Sequence, residues 1–199
     1  MFTPLAHNSS SNSDATVAQK WRMARYGIEN KRPALDETAL RDLALAYVGR
    51  FATSGARLVR YLERKLRERG WAGETEPDPQ GLAARFAELG YIDDASYARM
   101  KGSSMLRRGL GVARIKGALA ADGIKEPDRE EALDEARGAI WDAAEILARR
   151  KRIGPYATEK ADPALREKHI GVFMRAGHDM GTARVWVNAN PGEFPERSE

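Results

Sequence analysis

An all-helical fold, built as tandem three-helix repeats in an elongated, curved array, is what this sequence predicts, and three observations predict it. Apolar residues recur three and four positions apart through most of residues 36–189, the spacing that lines one face of a helix. A pattern of two apolar residues one turn apart, then glycine and another apolar residue, occurs twice, as Leu62, Leu66, Gly70, Trp71 and as Ile115, Leu119, Gly123, Ile124. Self-similarity at a period of roughly 50 residues is the mark of stacked supersecondary units. Period-two alternation is missing, with Val185-Trp186-Val187 the one short candidate strand.

The first repeat is assigned to residues 36–90. Leu40, Leu43, Ala44, Tyr47, Val48 and Phe51 form one stripe, and Ala52-Thr53-Ser54-Gly55 closes that helix. Ser54 is placed to cap a second helix from Ala56 to Arg69, with Leu58, Leu62 and Leu66 on its apolar face and Gly70 at its end. At 100° per residue, Arg57, Arg60, Arg64 and Arg67 share the opposite face. Asp78-Pro79 starts a third helix through Leu82, Ala83, Phe86 and Leu89, and Gly90 stops it.

The second repeat, residues 91–138, opens with Asp93 as a cap for a helix carrying Tyr97, Ala98, Met105 and Leu106. Gly102-Ser103-Ser104 predicts a weak or bent middle for it. Gly111 to Ala121 repeats the role of Ala56 to Arg69, and Pro127 begins an acidic helix toward Arg137. The third repeat, residues 139–189, is degenerate. It has a helix through Ile140, Trp141, Ala144, Ile146 and Leu147, a breaker at Gly154-Pro155, a helix from Asp162-Pro163 to Gly177, and a short last helix over Met180 to Val187. Residues 1–35 read as a mobile polar arm rich in Ser and Asn, with a short basic amphipathic helix over Val17 to Ile28, and residues 190–199 as a polar tail.

Composition narrows the function classes. Apolar residues make up 42% and charged residues 31%, which is ordinary for a soluble protein. The absence of cysteine excludes disulfides, thiolate metal sites and cysteine nucleophiles. No window approaches a membrane span and the start lacks a signal-peptide pattern, so a cytoplasmic protein without membrane contact is expected. The net charge is only +4, but it is unevenly distributed. Arg50 to Arg69 holds seven basic residues against two acidic, Lys101 to Lys116 five against none, and Glu126 to Glu145 eight acidic against two basic. These runs read either as solvated helix faces or as the surface for an anionic partner.

No chemistry assembles from the remaining residues. His169 and His178 are nine apart, a spacing that cannot share a helical turn, and His7 is in the arm. Gly109-Leu110-Gly111 continues as Val112-Ala113-Arg114 and lacks the Lys-Ser or Lys-Thr of a phosphate loop. Asp93 and Asp94 are adjacent, so their side chains diverge, and capping explains them better than catalysis or metal binding. Tyr91 and Ile92 read as apolar links between repeats, and Tyr61, Tyr97, Trp71 and Trp141 as core or inter-repeat contacts. The expectation is a protein that is not an enzyme, with no catalytic residues, no metal and no cofactor.

The stretch Gly90-Tyr91-Ile92-Asp93-Asp94, Tyr97-Ala98, then Arg108-Gly109-Leu110-Gly111, Arg114-Ile115, Leu119 and Gly123-Ile124 resembles the RecX family of regulators of the RecA recombinase. The likeness covers about residues 36–189, with the Ser/Asn-rich arm and the divergent third repeat as departures. It implies a monomeric regulator that binds the RecA nucleoprotein filament and suppresses its ATPase, strand-exchange and coprotease activities, modulating DNA repair, recombination and the SOS response. It also implies DNA contact, to the single strand within the filament and weakly to duplex; the alternative is a helical-repeat protein that binds DNA without RecA. Charge and helix phase nominate Arg57, Arg60, Arg64, Arg67, Arg107, Arg108, Arg114 and Lys116 as the partner surface.

Overall fold

The computed structural model describes residues 32–197, so the expected helix over Val17 to Ile28 lies outside the described residues. The described chain is all-helical. In order come α1 (Glu37–Val48), α2 (Gly55–Arg69), α3 (Pro79–Glu88), α4 (Asp94–Leu106), α5 (Val112–Ala121), α6 (Glu126–Gly138), α7 (Ile140–Lys151), a 3-10 turn (Gly154–Tyr156), α8 (Pro163–Ala176) and α9 (Met180–Asn188). The short apolar run Val185-Trp186-Val187 lies within α9, with Trp186 and Val187 buried.

Helix starts follow from side chains that accept a hydrogen bond from the first free amides. Asp36, Ser54, Asp78, Asp93, Asp162 and Asp179 each accept from the amide three residues on. Glycines in the left-handed region end segments, as at Gly70, Gly123 and Gly177.

Buried residues fall into three clusters, each supplied mainly by three consecutive helices. The first joins Leu40, Leu58, Leu62, Ala83, Phe86 and Ile92. The second joins Tyr97, Met105, Ile115, Leu119, Ile124 and Leu133, and the third Leu147, Ile153, Phe173 and Trp186. Leu58, Leu62, Ile115 and Leu119 are fully buried, each contributing about 1.5–3 kcal/mol relative to exposure. Leu62, Ile115 and Leu119 belong to the duplicated glycine pattern, in which Leu66 is half-buried against the first cluster.

Three local expectations change. Leu35, assigned to the arm, is fully buried and pairs with the segment after α2, its amide donating to Gly70 O at 3.0 Å and its carbonyl accepting from Ala72 N at 2.8 Å. The expected weak middle of α4 is instead continuous helix. Gly102 is buried in an uninterrupted helix, and a Cβ there would lie 3.7 Å from Ala132 and Ile115. That is ordinary van der Waals distance, so burial against α5 and α6 keeps the helix intact despite the poor helix propensity of glycine. Tyr91 does not seal a junction: it is exposed, against the ring of Phe86, while Ile92 is buried.

The second and third clusters meet through backbone. Gly111 N donates to Ala176 O at 2.9 Å and Ala113 N to Gly177 O at 3.1 Å. A Cβ on Gly111 would lie 2.3 Å from Gly177 O, and one on Gly109 only 2.9 Å from Leu147 N. Buried His178 adds a contact of 3.0 Å from Nε2 to Gly109 O. A carbonyl only accepts, so Nε2 carries the proton, and Nδ1 is left buried without a partner. Burial therefore lowers the His178 pKa, against the opposing pull of Gly109 and Asp179. The residues after α9 fold back on this part of the chain, where Phe194 packs edge-on to Tyr156 and Arg197 donates to Gly138 O at 2.6 Å.

Candidate anion-binding cleft

Because α2 turns its leucines inward, its arginine face points away from the first cluster, and α1 supplies the wall beside it. Tyr47 of α1 stacks on Tyr61 of α2 with ring centroids 4.3 Å apart and planes 17° from parallel. Around this pair Arg57, Arg60, Arg64 and Arg67 line an open groove of about 340 Å³. The guanidinium of Arg64 lies 5.6 Å from the Tyr61 ring centroid, a cation–π contact that orients it. Its pairing with Glu68 at 3.6 Å is exposed on both sides and adds little. Arg60 and Arg67 form no ion pair among the described residues. Tyr61 packs against the first cluster, as expected, and also lines the groove, so basic and aromatic side chains meet there, the combination that suits phosphates.

Arg57 differs from the other three. It donates to the Tyr97 hydroxyl at 3.3 Å and pairs with Asp122 at 3.3 Å. Tyr97 in turn donates to Asp122 Oδ2 at 2.5 Å, and Lys101 pairs with the same carboxylate. Burial alone would raise the Asp122 carboxyl, but hydrogen bonds from Lys101 and Tyr97 and the charges of Lys101 and Arg57 hold it below its ordinary 3.8. Burial, reinforced by Asp122, pushes the Tyr97 phenol up to about 12. Arg57 thus stands at one end of the groove and also in a buried ionic network that joins α2 to α4 and the end of α5. Asp122 and Lys101 carried no sequence signal beyond their places at a helix end and in a basic run.

Asp93 and Asp94 divide the capping work between two helices. Asp93 accepts from Ser96 N at 2.8 Å and Ser96 Oγ at 2.6 Å, and these bonds hold its carboxyl below its ordinary range. Asp94 Oδ1 accepts from Gly55 N at 2.9 Å, the first amide of α2. Ser54 Oγ donates to Asp122 O at 2.7 Å while accepting from Arg57 N at 3.2 Å. The acidic pair is therefore a link between helix ends rather than a reactive centre.

The other nominated cations do not form a second groove of this kind. Arg107 and Arg108 are exposed after the last turn of α4, and the carbonyl of Arg108 accepts from Arg150 at 2.8 Å. Arg114 and Lys116 are exposed on α5, two residues and so about 200° apart. Among the described residues no His, Cys, Asp and Glu group is placed to hold a metal, and no helix is long and apolar enough to cross a membrane.

No protein-family model matches the chain. It is 30% identical over 173 residues to the regulatory protein RecX of Myxococcus xanthus, spanning 81% of this chain and 91% of that relative. It is 32% identical over 99 residues to regulatory protein RecX of Pectobacterium atrosepticum, spanning 50% of this chain and 61% of the relative. The corresponding figures for regulatory protein RecX of Thermus thermophilus are 33% over 89 residues, 45% and 61%. The fold is similar to a crystal structure of regulatory protein RecX, with a TM-score of 0.56 at 18% identity, covering 90% of this chain and 79% of that one.

Proposed function

The chain belongs to the RecX family, and from that premise we propose that it binds the RecA nucleoprotein filament and restrains its ATPase, strand-exchange and coprotease activities. The observation that supports this reading is the groove of Arg57, Arg60, Arg64 and Arg67 around the Tyr47–Tyr61 stack. A filament presents an anionic strand and repeated protein surfaces. A set of helices with several weak contacts gains affinity there from multivalency, without an enclosed pocket. In this reading the protein works by occupancy and performs no reaction of its own.

The test is the DNA-dependent ATPase of a preformed filament of RecA on single-stranded DNA. Arg60→Glu combined with Arg64→Glu reverses two charges in the groove, and the concentration needed for half-inhibition is expected to rise on the order of tenfold or more. Unchanged inhibition would remove the groove from the mechanism. Salt-dependent duplex binding in a control without RecA, beside no effect on the filament, would favour the reading as an independent DNA-binding protein.

A further inference from the structure

The third cluster carries a second concave site, remote in sequence from the arginine groove. A cavity of about 530 Å³ lies between the loop after the 3-10 turn, the first turns of α8 and the end of α9. That size is within the range of small-molecule sites. Arg152, Lys160 and Arg166 line it together with His169. Among the described residues none of these three cations forms an ion pair, although Glu159 lines the same cavity. His169 lines the cavity with the rest of its side chain, since its Nδ1 is itself buried.

Arg152 adds an independent observation. It caps the end of α7 at φ 53° and ψ 51° and is the one non-glycine residue with positive φ among the described residues. Glycine ordinarily fills that position, or asparagine with its local hydrogen bonds, because a Cβ crowds the following carbonyl oxygen in the left-handed conformation. Strain of this kind concentrates at functional sites, and here the strained residue lines the cavity.

We propose that this cavity binds a small phosphorylated molecule, its phosphate held by Arg152, Lys160 and Arg166. A compact ligand is favoured over a continuous nucleic-acid strand, because the carboxylates of Glu159 and Asp162 line the same walls and repel a polyanion that runs through. Neither carboxylate blocks a single phosphate group that enters on the cationic side.

Calorimetric titration of the full chain with inorganic pyrophosphate, and separately with a short oligothymidylate, tests this. Pyrophosphate is expected to bind wild type, to bind Arg152→Gly and Arg166→Gln at least tenfold more weakly, and to bind the Arg60→Glu, Arg64→Glu variant as it does wild type. Without ligand, Arg152→Gly is expected to melt about 2–4 °C higher, as relief of the left-handed residue predicts, which shows that its loss of binding is not misfolding. Equal pyrophosphate affinity in wild type and both cavity variants overturns the proposal, as does the absence of pyrophosphate binding to wild type. Loss only in the groove variant, or oligothymidylate binding that depends on Arg152 and Arg166, also overturns it.

Discussion

The two places where buried clusters meet are built on different physics. Between the first and second clusters the contacts are side chains: Ser54, Asp94 and the network of Arg57, Tyr97, Lys101 and Asp122. Between the second and third they are mostly main chain, with Gly111 and Ala113 bonded to Ala176 and Gly177 and with His178 on Gly109. A junction of charges is sensitive to pH and to the loss of a partner, whereas a junction of backbones is sensitive to added volume. The first also has one tight point, since a Cβ on Gly123 would lie 2.3 Å from Ala56 Cβ.

The largest effect is expected from volume at the second junction. Gly111→Val places a branched side chain where even a Cβ would lie 2.3 Å from Gly177 O, and a loss of about 3 kcal/mol or more is expected in urea unfolding. Protection of the Ala113 amide should fall while that of Gly55 is retained. Asp122→Ala at the first junction strands Lys101 and Arg57. A loss of about 2–3 kcal/mol is expected, reduced from the fully buried case because both cations reach water. If Asp122→Ala is neutral while Gly111→Val is not, the ionic network is not what joins these helices.

Smaller effects separate the junctions by pH. Tyr97→Phe removes the phenol donor to Asp122 and is expected to cost about 1–2 kcal/mol near neutrality. The folded-state pKa of Tyr97 is raised from 10.0 to about 12, so its stabilisation is fully present below pH 10 and is lost as pH rises from 10 toward 12. Wild type should therefore lose its advantage over Tyr97→Phe across that window. His178 behaves in the opposite sense. Its pKa is lowered from 6.5, so its contribution is present above pH 6.5 and is lost as pH falls below that value. Mild acid should loosen the Gly109–His178 side first, since Asp122 keeps its charge until the pH falls below 3.8. The smallest effect on stability is expected from Arg60→Ala, within about 0.5 kcal/mol in urea unfolding, even where filament inhibition weakens.

The sequence made the all-helical class legible because period and caps are local. Ser54, Asp93, Asp162 and the glycines announce helix ends within three or four residues. The arginine stripe was legible for the same reason, since helix phase alone puts Arg57, Arg60, Arg64 and Arg67 on one face. What pairing of distant segments decides was not legible. Nothing near Asp122 indicates that Arg57 and Lys101 converge on it, and nothing near Tyr61 indicates that Tyr47 stacks there. At Gly102 the low propensity is a property of one helix, whereas the burial that keeps that helix continuous belongs to its packing on others. Leu35 was placed in the arm because the residues it pairs with, Gly70 and Ala72, are distant in sequence.

Loop length gives the two junctions one more consequence. Ser54 and Asp122 are 68 residues apart in sequence, and Gly109 and His178 are 69 apart. Closing loops of nearly equal length carries nearly equal chain entropy, so neither junction has a head start in folding. Each cluster, by contrast, is assembled mainly from neighbouring helices with shorter separations, and local contacts form faster. The expected order is three helical cores first and two dockings afterwards, with the slower docking identified by whether Gly111→Ala or Asp122→Asn slows refolding in stopped-flow fluorescence.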